Sequence, residues 1–194
     1  MSLAVRDLSK TFENLQVLQG VNLDFKDRGI YCLMGPSGTG KTTFLRILMG
    51  LEKADTGVIQ GRDGKRFSAV FQEDRLCEAY TPLDNVMMAA DRSVAREAAK
   101  RELCRILPEE SISRPVYTLS GGMKRRTAVC RALLATYDIL VMDEPFAGLD
   151  EDTRGQVIRY VREKTEGKLV ILSTHMEEDA AALGAETVRL YTFQ

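Results

Sequence analysis

Long apolar runs are missing from this 194-residue chain. A helix that crosses a bilayer needs about 18 consecutive apolar residues, and the densest stretches here are only Ile139 to Met142 and Leu169 to Leu172. No apolar leader is expected ahead of the first strand, because Arg6, Asp7 and Lys10 interrupt it. A charge excess is missing too. With 27 Lys+Arg against 28 Asp+Glu, the net charge of −1 gives no field for nonspecific capture of nucleic acid or anionic lipid. The four cysteines form no C-x-x-C pair and stand apart from the single histidine, so neither a zinc site nor a disulfide framework is expected. These absences point to a cytoplasmic protein with no nucleic-acid partner, whose dealings with a membrane would run through another protein. What remains, 44% apolar and 28% charged residues, suits one large domain or a core with a small subdomain.

The most informative stretch is Gly35-Pro36-Ser37-Gly38-Thr39-Gly40-Lys41-Thr42, which fits G-x-x-x-x-G-K-[ST] in full. The apolar run Ile30 to Met34 leads into it and a helix-like segment from Thr43 to Met49 follows, which is the context a phosphate-binding loop requires. Glycines let the backbone curl so that N–H groups cradle phosphate oxygens, and the opening helix adds its positive dipole end. Lys41 can reach the β- and γ-phosphates, and the Thr42 hydroxyl can ligate Mg²⁺. A nucleoside triphosphate is the expected ligand, held by Gly35 to Thr43.

Further along, Leu3 to Arg6 and Val17 to Phe25 predict half-buried antiparallel strands. Between them Phe12 either closes a hairpin core or offers a platform for an adenine ring. Val58 to Gln60 and Arg66 to Phe71 predict short strands around a Gly61–Gly64 turn. Gln72, just past the second, reads alone as a solvated loop residue. Thr81-Pro82-Leu83 is a helix start, and Ser93 to Leu107 predicts a second helix. Together they form a small helical insertion whose Leu76, Met87 and Met88 could be core or receive a partner helix. Ser120-Gly121-Gly122 precedes a helix predicted over Lys124 to Ala135. Such a start can bind an anion, although alone it reads as a serine N-cap.

Ile139 to Met142 predicts a buried parallel strand, with Asp143 and Glu144 at its carboxyl end, where open α/β sheets bind ligands. Asp143 would hold Mg²⁺ and Glu144 would act as general base on an attacking water. After a helix over about 152–165, Lys168 to Ser173 predicts another buried strand, and His175 at its end is placed to sense a phosphate. Met176 to Leu183 and Thr187 to Leu190 predict a last helix and strand.

Taken in order, these motifs resemble the ATP-binding cassette family over essentially the whole chain. Gly35 to Thr42 corresponds to its Walker A loop and Ile139 to Asp143 to its Walker B strand. Leu119-Ser120-Gly121-Gly122-Met123 matches its signature and Gln72 its Q-loop. Phe146 to Asp150 matches its D-loop, His175 its switch histidine and Phe12 its adenine-stacking aromatic. The resemblance implies an α/β phosphate-loop ATPase core with a mostly parallel sheet, an N-terminal antiparallel β subdomain and a small α-helical subdomain. One domain would span 1–194, its helical part running from about 76 to 117 and on through the signature helix to about 136. It also implies a head-to-tail dimer around two ATP and Mg²⁺, in which Ser120, Gly121 and Gly122 of one subunit contact the γ-phosphate held by Lys41 of the other. Glu144, His175, Lys41 and Gln72 would carry the chemistry, and Thr42, Gln72 and Asp143 the metal. The helical insertion would dock a membrane permease, with a solute-binding protein in the complex and the cassette itself peripheral on the inner face of the membrane.

Val70 to Leu76, Thr81 to Val86 and Asp143 to Phe146 resemble the importer branch for nitrate, sulfonates and taurine. An exporter ATPase or a soluble non-transport cassette is the alternative. Repair cassettes carry a long coiled-coil insertion, however, and only 79 positions separate Lys41 from Ser120. The departures from the pattern, Met123, Arg125, Phe12 and Gly148, are expected to have little bearing on hydrolysis.

Overall fold

The computed structural model describes residues 3–190. A hairpin opens the chain: β1 (Leu3–Phe12) pairs antiparallel with β2 (Leu15–Phe25), and β4 (Thr56–Gln60) adds to the other side of β1. The main sheet is wholly parallel. Its order is β5 (Phe67–Val70), β6 (Ile139–Asp143), β7 (Leu169–Ser173), β3 (Gly29–Met34) and β8 (Glu186–Arg189). Among the described residues, six α-helices connect or cover the strands: α1 (Lys41–Leu48), α2 (Pro82–Met87), α3 (Arg96–Cys104), α4 (Gly121–Leu134), α5 (Glu151–Lys164) and α6 (Glu177–Leu183).

The apolar runs are continuous because the parallel sheet is covered on both faces. Tyr31, Leu33, Ile139, Val141, Leu169 and Ile171 point into one core, against α1 and the antiparallel sheet. Their neighbours Cys32, Met34, Leu140, Met142, Val170 and Leu172 point into the other, shared with α4, α5 and the helical insertion. Alternation at period 2 thus divides each strand between two cores. Burial pushes the Cys32 thiol up to about 12, so this cysteine acts as a small apolar residue. Cys130 is buried likewise, while Cys77 and Cys104 face solvent.

Several boundaries depart from sequence expectation for local reasons. β1 extends well past Arg6, because irregular register at Asp7 (φ 49°) lets the strand pass through polar residues while Asn22 accepts the Asp7 N–H at 3.0 Å. The two short strands around the Gly61–Gly64 turn do not pair with each other. β4 joins the antiparallel sheet and β5 the parallel one, so the turn carries the chain between layers. The helix predicted over Ser93 to Leu107 covers only α3. The Asp91 carboxylate accepts the Ser93 N–H and hydroxyl in a local turn that keeps 91–94 out of the helix. α2 starts as expected, with a reciprocal capping box between Thr81 and Asp84. Leu76 and Met87 are half-buried against the helical core, leaving Met88 exposed.

Candidate functional site

Four neighbouring strands of the parallel sheet deliver the site, each at its carboxyl end. Gln72 follows β5, Asp143 and Glu144 end β6, Ser173 to His175 follow β7, and the glycine loop follows β3. They surround a cleft of about 670 Å³, a size suited to a nucleotide-scale ligand. Its lining includes Val17, Ser37, Gly38, Gly40, Lys41, Thr42, Thr43, Gln72, Asp143, Glu144, Ala147 and His175.

The loop is held shut on itself. The Thr39 hydroxyl donates to the Pro36 carbonyl at 2.9 Å, and the Lys41 ammonium donates to the Gly35 and Pro36 carbonyls at 2.6 and 2.9 Å. Gly40 caps α1 at φ 86°, and a Cβ there would lie 2.7 Å from the Val17 carbonyl, so only glycine allows this approach of loop to hairpin. α1 begins at Lys41, earlier than its predicted start, which aims the unpaired N–H groups of its first turn at the cleft.

Two carboxylates differ in setting. Asp143 is buried and accepts a 2.6 Å hydrogen bond from the Ser173 hydroxyl. Glu144 is half-buried, its Oε2 lies 3.1 Å from His175 Nδ1, and its backbone takes φ 48°. A carboxylate can only accept, so Nδ1 carries the proton in that contact. The Glu144 N–H donates to the Ser173 hydroxyl at 3.0 Å and lies 3.2 Å from the Ser173 carbonyl. Ser173, fully buried, therefore braces the Asp143 carboxylate and the Glu144 backbone at once, and sequence reading passed over it. The available signal was a hydroxyl ending an otherwise apolar strand that lies in register with Asp143. The turn holding His175 is tied down by Thr174, whose hydroxyl donates to the buried Asp179 at 3.1 Å. Arg154 of α5 faces the same carboxylate at 3.5 Å. Burial pushes the Asp179 carboxyl above its usual range.

Thr42, Gln72 and Asp143 come together, lining both this cleft and an adjoining one. A hydroxyl, an amide carbonyl and a carboxylate are hard oxygen donors, the set that suits Mg²⁺ shared with phosphate and water. Among the described residues no cluster of three or more His, Cys, Asp or Glu offers an all-protein metal cage.

Of the expected loop residues, Gly35, Pro36 and Thr39 are not in the cleft's lining, and two further expected groups stand outside it. Ser120 caps α4, accepting the Met123 N–H at 3.3 Å, and Gly121 and Gly122 open the helix with Ser120 and Gly121 exposed. Phe12 pairs with Leu15 at the hairpin tip and is 42% exposed, so it closes no core; the Lys10 ammonium lies 4.8 Å from its ring centre.

A sequence profile described as ABC transporter matches residues 18–147. The chain is 34% identical to the probable sulfate/thiosulfate import ATP-binding protein CysA of Chlorella vulgaris, over 98% of this chain and 87% of that protein. It is 36% identical to the aliphatic sulfonates import ATP-binding protein SsuB of Corynebacterium glutamicum, over 96% of this chain and 79% of that one. It is 32% identical to the longer spermidine/putrescine import ATP-binding protein PotA of Hahella chejuensis, of which it spans 57%. Its fold matches the dimeric post-hydrolysis structure of the ATP-binding cassette MJ0796 bound to ADP and Pi. The TM-score is 0.85 at 25% identity, covering 98% of this chain and 94% of that one. No helix of the described residues is long and apolar enough to cross a membrane.

Proposed function

The chain belongs to the ABC transporter family, and from that membership we propose that it is the ATP-hydrolysing subunit of an importer for a small solute of the sulfonate, sulfate or nitrate kind. The observation that carries the reading is the convergence of Lys41, Thr42, Gln72, Asp143, Glu144 and His175 on one cleft while Ser120 and Gly121 lie exposed outside its lining. Residues 1–194 act as one ATPase unit, and a second copy or a related cassette supplies the missing signature contact. The helical insertion takes the permease, which brings the chain to the inner face of the membrane and into a complex with a solute-binding protein.

The chain's own groups divide the work. Backbone N–H groups of the Gly35 to Thr43 loop, Pro36 excepted because it has none, and the Lys41 ammonium hold the β- and γ-phosphates, for which Lys41 exchanges the Gly35 and Pro36 carbonyls for phosphate oxygens. Phe12, at the exposed hairpin tip, stacks on the adenine. Thr42, Gln72 and Asp143 would hold Mg²⁺, which when bound offsets charge on the phosphate oxygens. Glu144 orients and deprotonates the attacking water, and His175, steered by its contact with Glu144, holds the γ-phosphate end of the nucleotide. Ser120, Gly121 and Gly122 offer a hydroxyl and the start of a helix to the partner's γ-phosphate.

Glu144→Gln keeps the shape of the site and removes the base. It is expected to accumulate an ATP-bound dimer on size exclusion at saturating ATP and Mg²⁺, with hydrolysis reduced at least about 100-fold. A variant that elutes as a monomer under those conditions overturns the reading.

A further inference from the structure

Arg125 lies in the second turn of α4 with only 8% of its surface exposed, unusual for a residue that is always charged. One guanidinium nitrogen donates to the Phe71 carbonyl at 2.6 Å, another to the Gln72 carbonyl, and Nε lies 3.2 Å from the Asp74 carboxylate. Arg131, farther along α4, donates to the Arg75 and Asp74 carbonyls at 2.7 and 3.0 Å. The segment from Phe71 to Arg75 has no regular secondary structure, and Arg75 sits at φ 47°. Four of its five carbonyls are therefore satisfied by two arginines of one helix. The fork of Arg125 donates to two successive carbonyls and faces the Asp74 carboxylate as an ion pair, Asp74 Oδ1 itself being buried without a hydrogen-bond partner.

The two ends of this linkage lie in different parts of the site. Gln72 lines the cleft beside Thr42 and Asp143, whereas α4 begins at Ser120, about 7.5 Å from Arg125 along the helix axis. α4 runs unbroken for 14 residues, so a shift at its first turn would be carried to the Gln72 carbonyl through the guanidinium. We propose that Arg125 is a positioning residue that sets Gln72 against Asp143 and Thr42 according to where the signature helix sits. Nucleotide contact at Ser120 then alters the oxygen set that receives Mg²⁺. This rests on reading Ser120 to Gly122 as phosphate contacts. It runs against the sequence expectation that Arg125 has little bearing on hydrolysis.

The test compares full-length wild type with Arg125→Met and Arg125→Lys, the latter keeping a cation that can reach only part of the set. Arg125→Met is expected to lower kcat about tenfold and to raise the Mg²⁺ concentration for half-maximal activity about threefold. Calorimetry should show the Mg²⁺ enhancement of ATP affinity reduced in parallel, with affinity for ATP in EDTA unchanged, and Arg125→Lys should fall between. Should Arg125→Met not fold, Asp74→Asn, which leaves the backbone contacts in place, should still raise the Mg²⁺ requirement by a smaller factor. Loss of kcat with unchanged Mg²⁺ dependence in every folded variant overturns the proposal, since simple destabilisation has that signature. A wild type that hydrolyses no ATP overturns instead the function on which it stands.

Discussion

Glu144 occupies a left-handed backbone conformation that costs a non-glycine residue about 1–3 kcal/mol, and the cost is met by Ser173. The serine hydroxyl accepts the Glu144 N–H and donates to Asp143, so a single oxygen fixes the relative positions of the expected base and the expected metal ligand. Replacing it with alanine leaves a buried carboxylate oxygen and a strained N–H each one partner short. Ser173→Ala should lose about 1–3 kcal/mol of stability. A misplaced carboxylate pair should also lower kcat about tenfold, equivalent to 1.4 kcal/mol of barrier. Chemical denaturation and steady-state kinetics on the same preparation check both. An unchanged kcat in the folded fraction would mean that Ser173 supports only the fold. The residues that announce themselves by type, such as Lys41 and Asp143, were legible in the sequence because phosphate and metal chemistry demand those side chains at that spacing. Ser173 was not, because its role comes from the β6–β7 register, and a serine at a strand end carries no chemistry until its neighbour is known.

At the scale of elements, the start of α4 is compatible with two roles that sequence reading held as alternatives. Ser120 is an N-cap, worth about 1 kcal/mol to the helix, and the same cap presents the exposed Gly121 at the positive end of the dipole. A hydroxyl already spent on the Met123 N–H can still take a ligand, since it keeps a proton to donate and a second lone pair. Ser120→Arg puts a long cation where backbone must approach a phosphate. ATP affinity, set by the Gly35 to Thr43 loop, is expected to stay within about twofold, while hydrolysis drops at least about 100-fold, the scale of losing an oxyanion-type donor. Fluorescent-nucleotide binding and phosphate release measure the two separately, and an equal fall in both would place Ser120 in its own chain's nucleotide site. Element boundaries were less legible than element types. α3 lost both ends to turns anchored by Asp91 and by the tight backbone bonds around Leu103 to Leu107, contacts that periodicity does not encode.

At the scale of the whole molecule, the parallel sheet explains why motifs distant in sequence meet. Four adjacent strands run the same way, so the residue after each strand emerges on one edge. That edge could be anticipated from apolar runs ending in Gly35, Asp143 and Thr174, whereas the strand order that makes the four neighbours could not. The same geometry leaves Ser120 at the start of a helix on the insertion, outside the lining of the cleft, so that on the proposed function each chain would carry two half-sites. A two-fold symmetric pair would then contain two composite sites, each drawing Lys41 from one chain and Ser120 from the other. Lys41→Ala and Ser120→Arg are each expected to be inactive alone, but mixing them rebuilds one intact site in every mixed dimer and destroys the other doubly. Half of the dimers in an equal mixture are mixed, so hydrolysis should recover to at most about a quarter of wild type, with recovery growing as total protein concentration promotes association. If each chain held a whole site, no mixing ratio or concentration would restore activity, and phosphate release from the mixture would match the sum of the two dead variants.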